Sequence, residues 1–188
     1  MKKLLLHTLP GPKAEELFKE FQQHTESVYL SRSGLIADAQ VATDLATDLA
    51  TEDQESLIIA FPDEYSQGDL SETIDKVLTS SFLEIQKFVQ IRMKKRFGQI
   101  LCLVNAGANG LLYGESGQNH VVAAQGGLIG LTKTISKEYS KRGIIANVLY
   151  IDWNNIPLSE IVIRSKSFLT DNTQLKGQVL ALDGGRWL

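Results

Sequence analysis

Residues Gly98 to Asn147 read GQILCLVNAGANGLLYGESGQNHVVAAQGGLIGLTKTISKEYSKRGIIAN, and this stretch decides the fold. It opens on an apolar run, Ile100–Val104, that ends in Asn105 and passes into a glycine-rich loop. A run this short and apolar, bounded by turn residues, reads as a buried strand. Residues 118–141 then read as a helix, and a basic turn through Arg142 and Gly143 leads into a second apolar strand, Ile144–Ile151. Strand, helix, strand in that order joins parallel strands by a right-handed crossover.

The same alternation extends in both directions. Leu4–Leu6 through Thr8 is a short apolar run closed by Pro10-Gly11-Pro12. Ala14, Leu17, Phe18 and Phe21 follow at helical spacing, and Pro12 suits the first turn of that helix. Ser27–Ser31 and Leu57–Phe61 read as two more strands, the second closed by Pro62-Asp63. Between them lies the local repeat ATDLATDLAT, in which Val41, Leu45 and Leu49 share one side; a helix covering a sheet explains it fully. Ser71 to Arg96 predicts a long helix with Ser71 as N-cap and Ile74, Val77, Leu78, Phe82, Ile85, Phe88, Val89 and Met93 as its apolar face. Its cationic end, Arg92 with Lys94, Lys95 and Arg96, complements the helix dipole. Residues 154–176 read as a loop with one short helix, and Gln178–Leu182 as a last strand. The expected architecture is α/β: a doubly wound parallel sheet of about six or seven strands, in one domain spanning residues 1–188.

Bulk properties agree. A chain of 188 residues suffices for one well-buried domain, and 43% hydrophobic with 22% charged residues is ordinary for a globular protein. A net charge of −3 argues against nucleic acid as a partner. The single cysteine, Cys102, excludes an intrachain disulfide and reads as a core thiol. The apolar run after Met1 is too short for a signal peptide, and no window reaches the length of a membrane span. The expectation is a cytosolic protein that does not engage a membrane. His7, His24 and His120 are scattered, and no Cys/His cluster suggests a metal.

Three pieces of the chain resemble the short-chain dehydrogenase/reductase family, most closely its 3-oxoacyl-acyl-carrier-protein reductase branch. They are DKVLTSSFLEIQKFV, the 98–147 block with GLIGLTK and RGI-x-x-N, and GQVLALDGG. The resemblance implies a Rossmann-like fold. Between Leu30 and Leu57 the family fits a further strand and helix, so one αβ unit is shortened here. It also implies a site built from a Ser, a Tyr and a Lys four residues after the Tyr, which together move a proton, with an Asn on the central helix. Registered on GLIG, those positions hold Ala108, Val121 and Gln125, and the Asn position holds Val77. None of these residues ionises. No tyrosine carries Lys at the required spacing: the residues four beyond the five tyrosines are Ser33, Asp69, Gly117, Gly143 and Asn154. The weak substitutes are His120, beside the vacated Tyr position, with Tyr113 and Ser116 on the preceding loop.

The dinucleotide loop is equally altered. The family's Thr-Gly-x-x-x-Gly-x-Gly lets pyrophosphate approach the backbone at a helix N-terminus. Here only Thr8 and a displaced Gly11 remain, two prolines remove backbone donors, and Glu15 and Glu16 bring negative charge. The Pro-Gly that shapes the family's nicotinamide pocket is Ile151-Asp152. These departures predict a structural or regulatory subunit without catalysis or cofactor. The resemblance places its interface on helices 71–96 and 118–141, at Phe82, Ile85, Val89, Ala123, Gly127 and Gly130. The partner is a second copy, as a dimer or tetramer, or a related active reductase. The alternatives are an NAD- or NADP-dependent oxidoreductase with an atypical site around His120 and Tyr113, and a small-ligand sensor using the crevice at the strand ends.

Overall fold

A computed structural model describes residues 3–32, 54–62, 69–105, 119–171, 174–182 and 184. In chain order these form β1 (Lys3–Thr8), α1 (Pro12–His24), β2 (Ser27–Arg32), β3 (Ser56–Ala60), α2 (residues 70–95) and β4 (Gly98–Asn105). They continue with α3 (Asn119–Tyr139, then a 3-10 turn, Ser140–Arg142), β5 (Ile144–Ile151), α4 (Leu158–Asp171) and β6 (Val179–Leu182). The strands make one six-stranded sheet in the order β2-β1-β3-β4-β5-β6. Every neighbouring pair is parallel. The order reverses once, between β1 and β3, which is the doubly wound arrangement that the alternation predicts. The shortened αβ unit falls on residues 33–53, outside the described residues.

Strands buried on both faces need apolar side chains at every position, because successive side chains point to opposite sides. Leu5, Leu57, Ile59, Ile100 and Cys102 face α2 and α3, and meet Val77, Ile85, Phe88, Ala124 and Leu128. Leu4, Leu6, Ile58, Leu101 and Leu103 face α1 and α4, and meet Leu17, Phe21, Ile161, Val162 and Phe168. Each fully buried aliphatic side chain of this kind contributes about 1.5–3 kcal/mol.

Helix α2 departs from its expected form at two points. Its cap is Asp69 rather than Ser71: the Asp69 carboxylate accepts the Glu72 N–H at 2.7 Å. The stretch Ile74–Thr79 is a π-helical turn between the α-helical Leu70–Thr73 and Ser80–Lys95. Ser80 and Ser81 hydroxyls donate to the carbonyls of Lys76 and Val77, satisfying oxygens within the widened turn. Where a loop with one short helix is expected, α4 is a full 14-residue helix. Gly143, at φ 82, closes the turn after α3; a Cβ there would overlap the Arg96 carbonyl oxygen. That close approach sets the ends of α2 and α3 together, and β4 and β5 start in register, Gly98 opposite Ile144.

Candidate functional site

Of the positions that the resemblance marks as catalytic, Val121 and Gln125 lie in the first turns of α3 and Val77 in α2. Val121 and Gln125 are one helical turn apart on the inner side of α3 and both are buried, Gln125 being 3% exposed. Gln125 Oε1 accepts the backbone N–H of Asn105 at 3.0 Å, so the side chain closes the end of β4. Val77 lies in the π-helical turn of α2, buried in the core between that helix and the sheet. His120 stands beside Val121 at the start of α3, partly exposed. Ala108, Tyr113 and Ser116 lie outside the described residues.

At the end of β1, Thr8 is buried and its hydroxyl donates to the Leu9 carbonyl at 3.1 Å. Gly11 is extended, at φ 175, and directly precedes α1, whose first helical residue is Pro12 and whose first turn carries Glu15. Lys13 Nζ donates to Asn154 Oδ1 at 3.0 Å, in the turn that follows β5. There Asp152, 1% exposed, accepts the Asn154 N–H at 3.2 Å and Asn155 Nδ2 at 2.8 Å. Asn147, the Asn of RGI-x-x-N, is a fastener within the fold: its amide donates to the Leu175 carbonyl and accepts the Gln178 N–H, each at 2.9 Å.

Two titratable groups away from the family-like positions stand out by burial. His7 lies under α2, with Nε2 3.1 Å from Ser80 Oγ and its ring edge-on to Phe61. Because the Ser80 hydroxyl donates to the Lys76 carbonyl, its oxygen is the acceptor for His7 Nε2–H. Burial first, and the nearby Lys87 charge second, lower the His7 pKa to about 4. Only a contact between residues 73 positions apart reveals this pair, so no local sequence signal could have found it. Cys102 is the inert core thiol that its strand predicts: burial pushes its pKa up to about 12, against a smaller opposing effect of Thr132. Among the described residues, no three His, Cys, Asp or Glu side chains stand close enough to hold a metal. No helix among them is long and apolar enough to cross a membrane.

On the outer face, α2 and α3 enclose an apolar groove of about 340 Å³ lined by Leu78, Thr79, Phe82, Gly127 and Leu131. Phe82 is 46% exposed and its neighbour Leu83 49%. Ala123 and Gly130 are exposed, and nothing lies within 4 Å of where a Gly130 Cβ would be. Ile85 and Val89 do not belong to this face: both are buried in the chain's own core, because the residues that follow the π-helical turn direct them at the sheet. Gly127 serves the interior as well, since a Cβ there would stand 2.6 Å from Leu78 Cδ2.

No protein-family model matches the chain. It is 36% identical over 96 residues to the 3-oxoacyl-acyl-carrier-protein reductase MabA of Mycobacterium avium, an alignment covering 50% of this chain and 36% of that protein. It is 29% identical over 137 residues to the 3-oxoacyl-acyl-carrier-protein reductase of Bos taurus, covering 62% and 56% respectively. The chain thus spans 36% to 56% of the length of these two curated relatives. Among solved structures, a short-chain dehydrogenase/reductase family oxidoreductase from Burkholderia thailandensis superposes with a TM-score of 0.71 at 16% identity, covering 98% of this chain and 92% of that one. A 4-hydroxyisoleucine dehydrogenase solved with NADH and succinate superposes with a TM-score of 0.74 at 19% identity, covering 97% and 98%. At these identities the structural likeness is one of fold. The chain thus resembles the 3-oxoacyl-acyl-carrier-protein reductases in sequence over part of its length, and short-chain dehydrogenase/reductase structures in fold over nearly all of it.

Proposed function

We propose that the chain is a catalytically silent short-chain dehydrogenase/reductase-like protein that serves as a structural or regulatory subunit, associating through the outer face of α2 and α3. Gln125 carries the reading. At the position where the resemblance asks for a lysine, a buried amide accepts the Asn105 N–H, and beside it Val121 has no proton to give. The position is committed to holding β4 and α3 together.

The residues at the strand ends do not suit a dinucleotide. Pro10 and Pro12 offer no N–H, Glu15 adds negative charge to the first turn of α1, and the buried Asp152 carboxylate stands where the resemblance has Pro-Gly. The competing reading, an NAD(P)-dependent oxidoreductase with an atypical site around His120 and Tyr113, draws on relatives of the type solved with NADH.

The occupant of the outer groove is a second copy of this chain. Phe82 and Leu83 sit midway along α2, flanked by acidic Asp69, Glu72 and Asp75 toward one end and basic Lys94, Lys95 and Arg96 toward the other. Antiparallel pairing of two such helices about a two-fold axis sets each acidic end against a basic end and the two Phe82 rings together.

The deciding experiment combines turnover and mass. Purified protein with NADPH and a 3-oxoacyl thioester is expected to leave NADPH absorbance unchanged, and light scattering is expected to give twice the chain mass. Saturable NADPH oxidation would establish the oxidoreductase reading instead. A monomer that recovers a related reductase from its host would move the partner from a second copy to that enzyme.

A further inference from the structure

The turn after β1 and the turn after β5 are tied to each other by side chains, although β3 and β4 lie between those strands in the sheet. At about 4.8 Å per strand, the two strand ends are separated by roughly 14 Å. Helices α1 and α4 close that distance on one face. At their far ends Lys166 donates to the His24 carbonyl. At the near end, the edge where the strands finish, Lys13 Nζ donates to Asn154 Oδ1 at 3.0 Å. Asn154 is itself aimed from beneath: its N–H donates to Asp152 Oδ1, while Asn155 Nδ2 donates to the other carboxylate oxygen. A carboxylate 1% exposed is retained at such a position only when its oxygens are hydrogen-bonded, so Asp152 sets the geometry of the whole turn.

This linkage joins the start of α1 directly to the turn after β5. We propose that Lys13, Asn154 and Asp152 form a latch that holds this edge closed without a ligand, in the place where the resemblance lays a dinucleotide. The proposal rests on the reading that the chain does not use that cofactor. It adds that the chain's own side chains do the joining that a bound dinucleotide would otherwise do. Lys13 satisfies the polar side chain of the β5 turn, and Asp152 presents that side chain to it.

Amide hydrogen exchange on the full chain tests the latch, comparing the unaltered protein with Lys13→Met, Asn154→Ala and the double substitution. Both positions are at the surface, so folding is preserved. Each single substitution is expected to speed exchange about fivefold in residues 9–15 and also in residues 152–158, on opposite sides of the linkage. The double substitution is expected to add little to either single one, because both remove the same interaction. The latch is overturned if Lys13→Met leaves residues 152–158 unchanged, or if the two effects add as independent ones. The comparison uses no cofactor, so its outcome stands apart from the turnover assay that decides the non-catalytic reading.

Discussion

Toward the sheet, α3 turns Val121, Gln125 and Leu128, all buried, and the one polar group among them is spent on the Asn105 backbone. Toward the outside, the same helix exposes Ala123 and Gly130, while Gly127 and Leu131 line the groove with the exposed ring of Phe82. The inner side is packed against the sheet, with Gln125 bonded to the end of β4. The outer side still has apolar surface to bury, and association is where that free energy is available. In a fold that elsewhere hosts chemistry at the strand ends, the two surfaces of one helix thus point to different uses.

The largest expected effect breaks the outer side. Phe82→Asp places a charge at the centre of the paired helices; at about 2 kcal/mol per copy, the dimer dissociation constant should rise roughly a thousandfold, read by sedimentation or light scattering across a dilution series. An unchanged dimer would move the interface elsewhere on the molecule.

Next comes the interior beneath α2. The folded-state pKa of His7, about 4, is below its unfolded value of 6.5. Above pH 6.5 both states are neutral and the residue contributes no pH dependence. As pH falls from 6.5 to about 4, the unfolded chain takes up a proton that the folded chain refuses, so stability falls, by about 3 kcal/mol in all. Urea midpoints measured at steps across that window should decline, and His7→Gln should flatten the decline. A parallel slope in the variant would assign the acid sensitivity to other groups.

Gln125→Leu sharpens the inner side. It leaves the Asn105 N–H buried without its acceptor, which should cost about 1–3 kcal/mol in chemical denaturation, with assembly intact. Restoring a family-like pair, Val121→Tyr with Gln125→Lys, should yield no NADPH turnover, because the β1–α1 turn is unaltered. Turnover in that double variant would mean that the turn does accept the cofactor.

The smallest effect separates two glycines of one helix. Gly130→Ala meets open space and should raise the stability of the monomeric Phe82→Asp background by up to about 1 kcal/mol, through helix propensity alone. Gly127→Ala forces Leu78 to shift and should lose most of that gain. Equal thermal shifts for the two would show that Leu78 yields at no cost.

Much of the fold was legible because buried parallel strands must be apolar throughout, which marks Leu4–Leu6, Leu57–Phe61, Ile100–Val104 and Ile144–Ile151 without ambiguity. Helix α4 was not, for a specific reason. Its inward stripe, Ile161, Val162, Ser165, Phe168 and Leu169, contains a buried serine, while Ile163 is 48% exposed. Apolar residues at 161 and 163 blur the helical period that the buried set keeps. The candidate site was legible only as a set of vacancies: the residues at Val77, Val121 and Gln125 exclude familiar chemistry without stating what replaces it.

Local pattern alone therefore determined the order of strands and helices, the parallel sheet they imply, and which side chains at the family-like positions can ionise. Tertiary structure decided where those side chains are used. That Gln125 accepts from Asn105, that His7 rests on Ser80, that Lys13 reaches Asn154, and that Ile85 turns inward while Phe82 turns out all depend on contacts between segments distant in the chain. Periodicity is a property of neighbours in sequence. Hydrogen bonding and burial are set by neighbours in space, and only the packed sheet and its two helical layers bring those together.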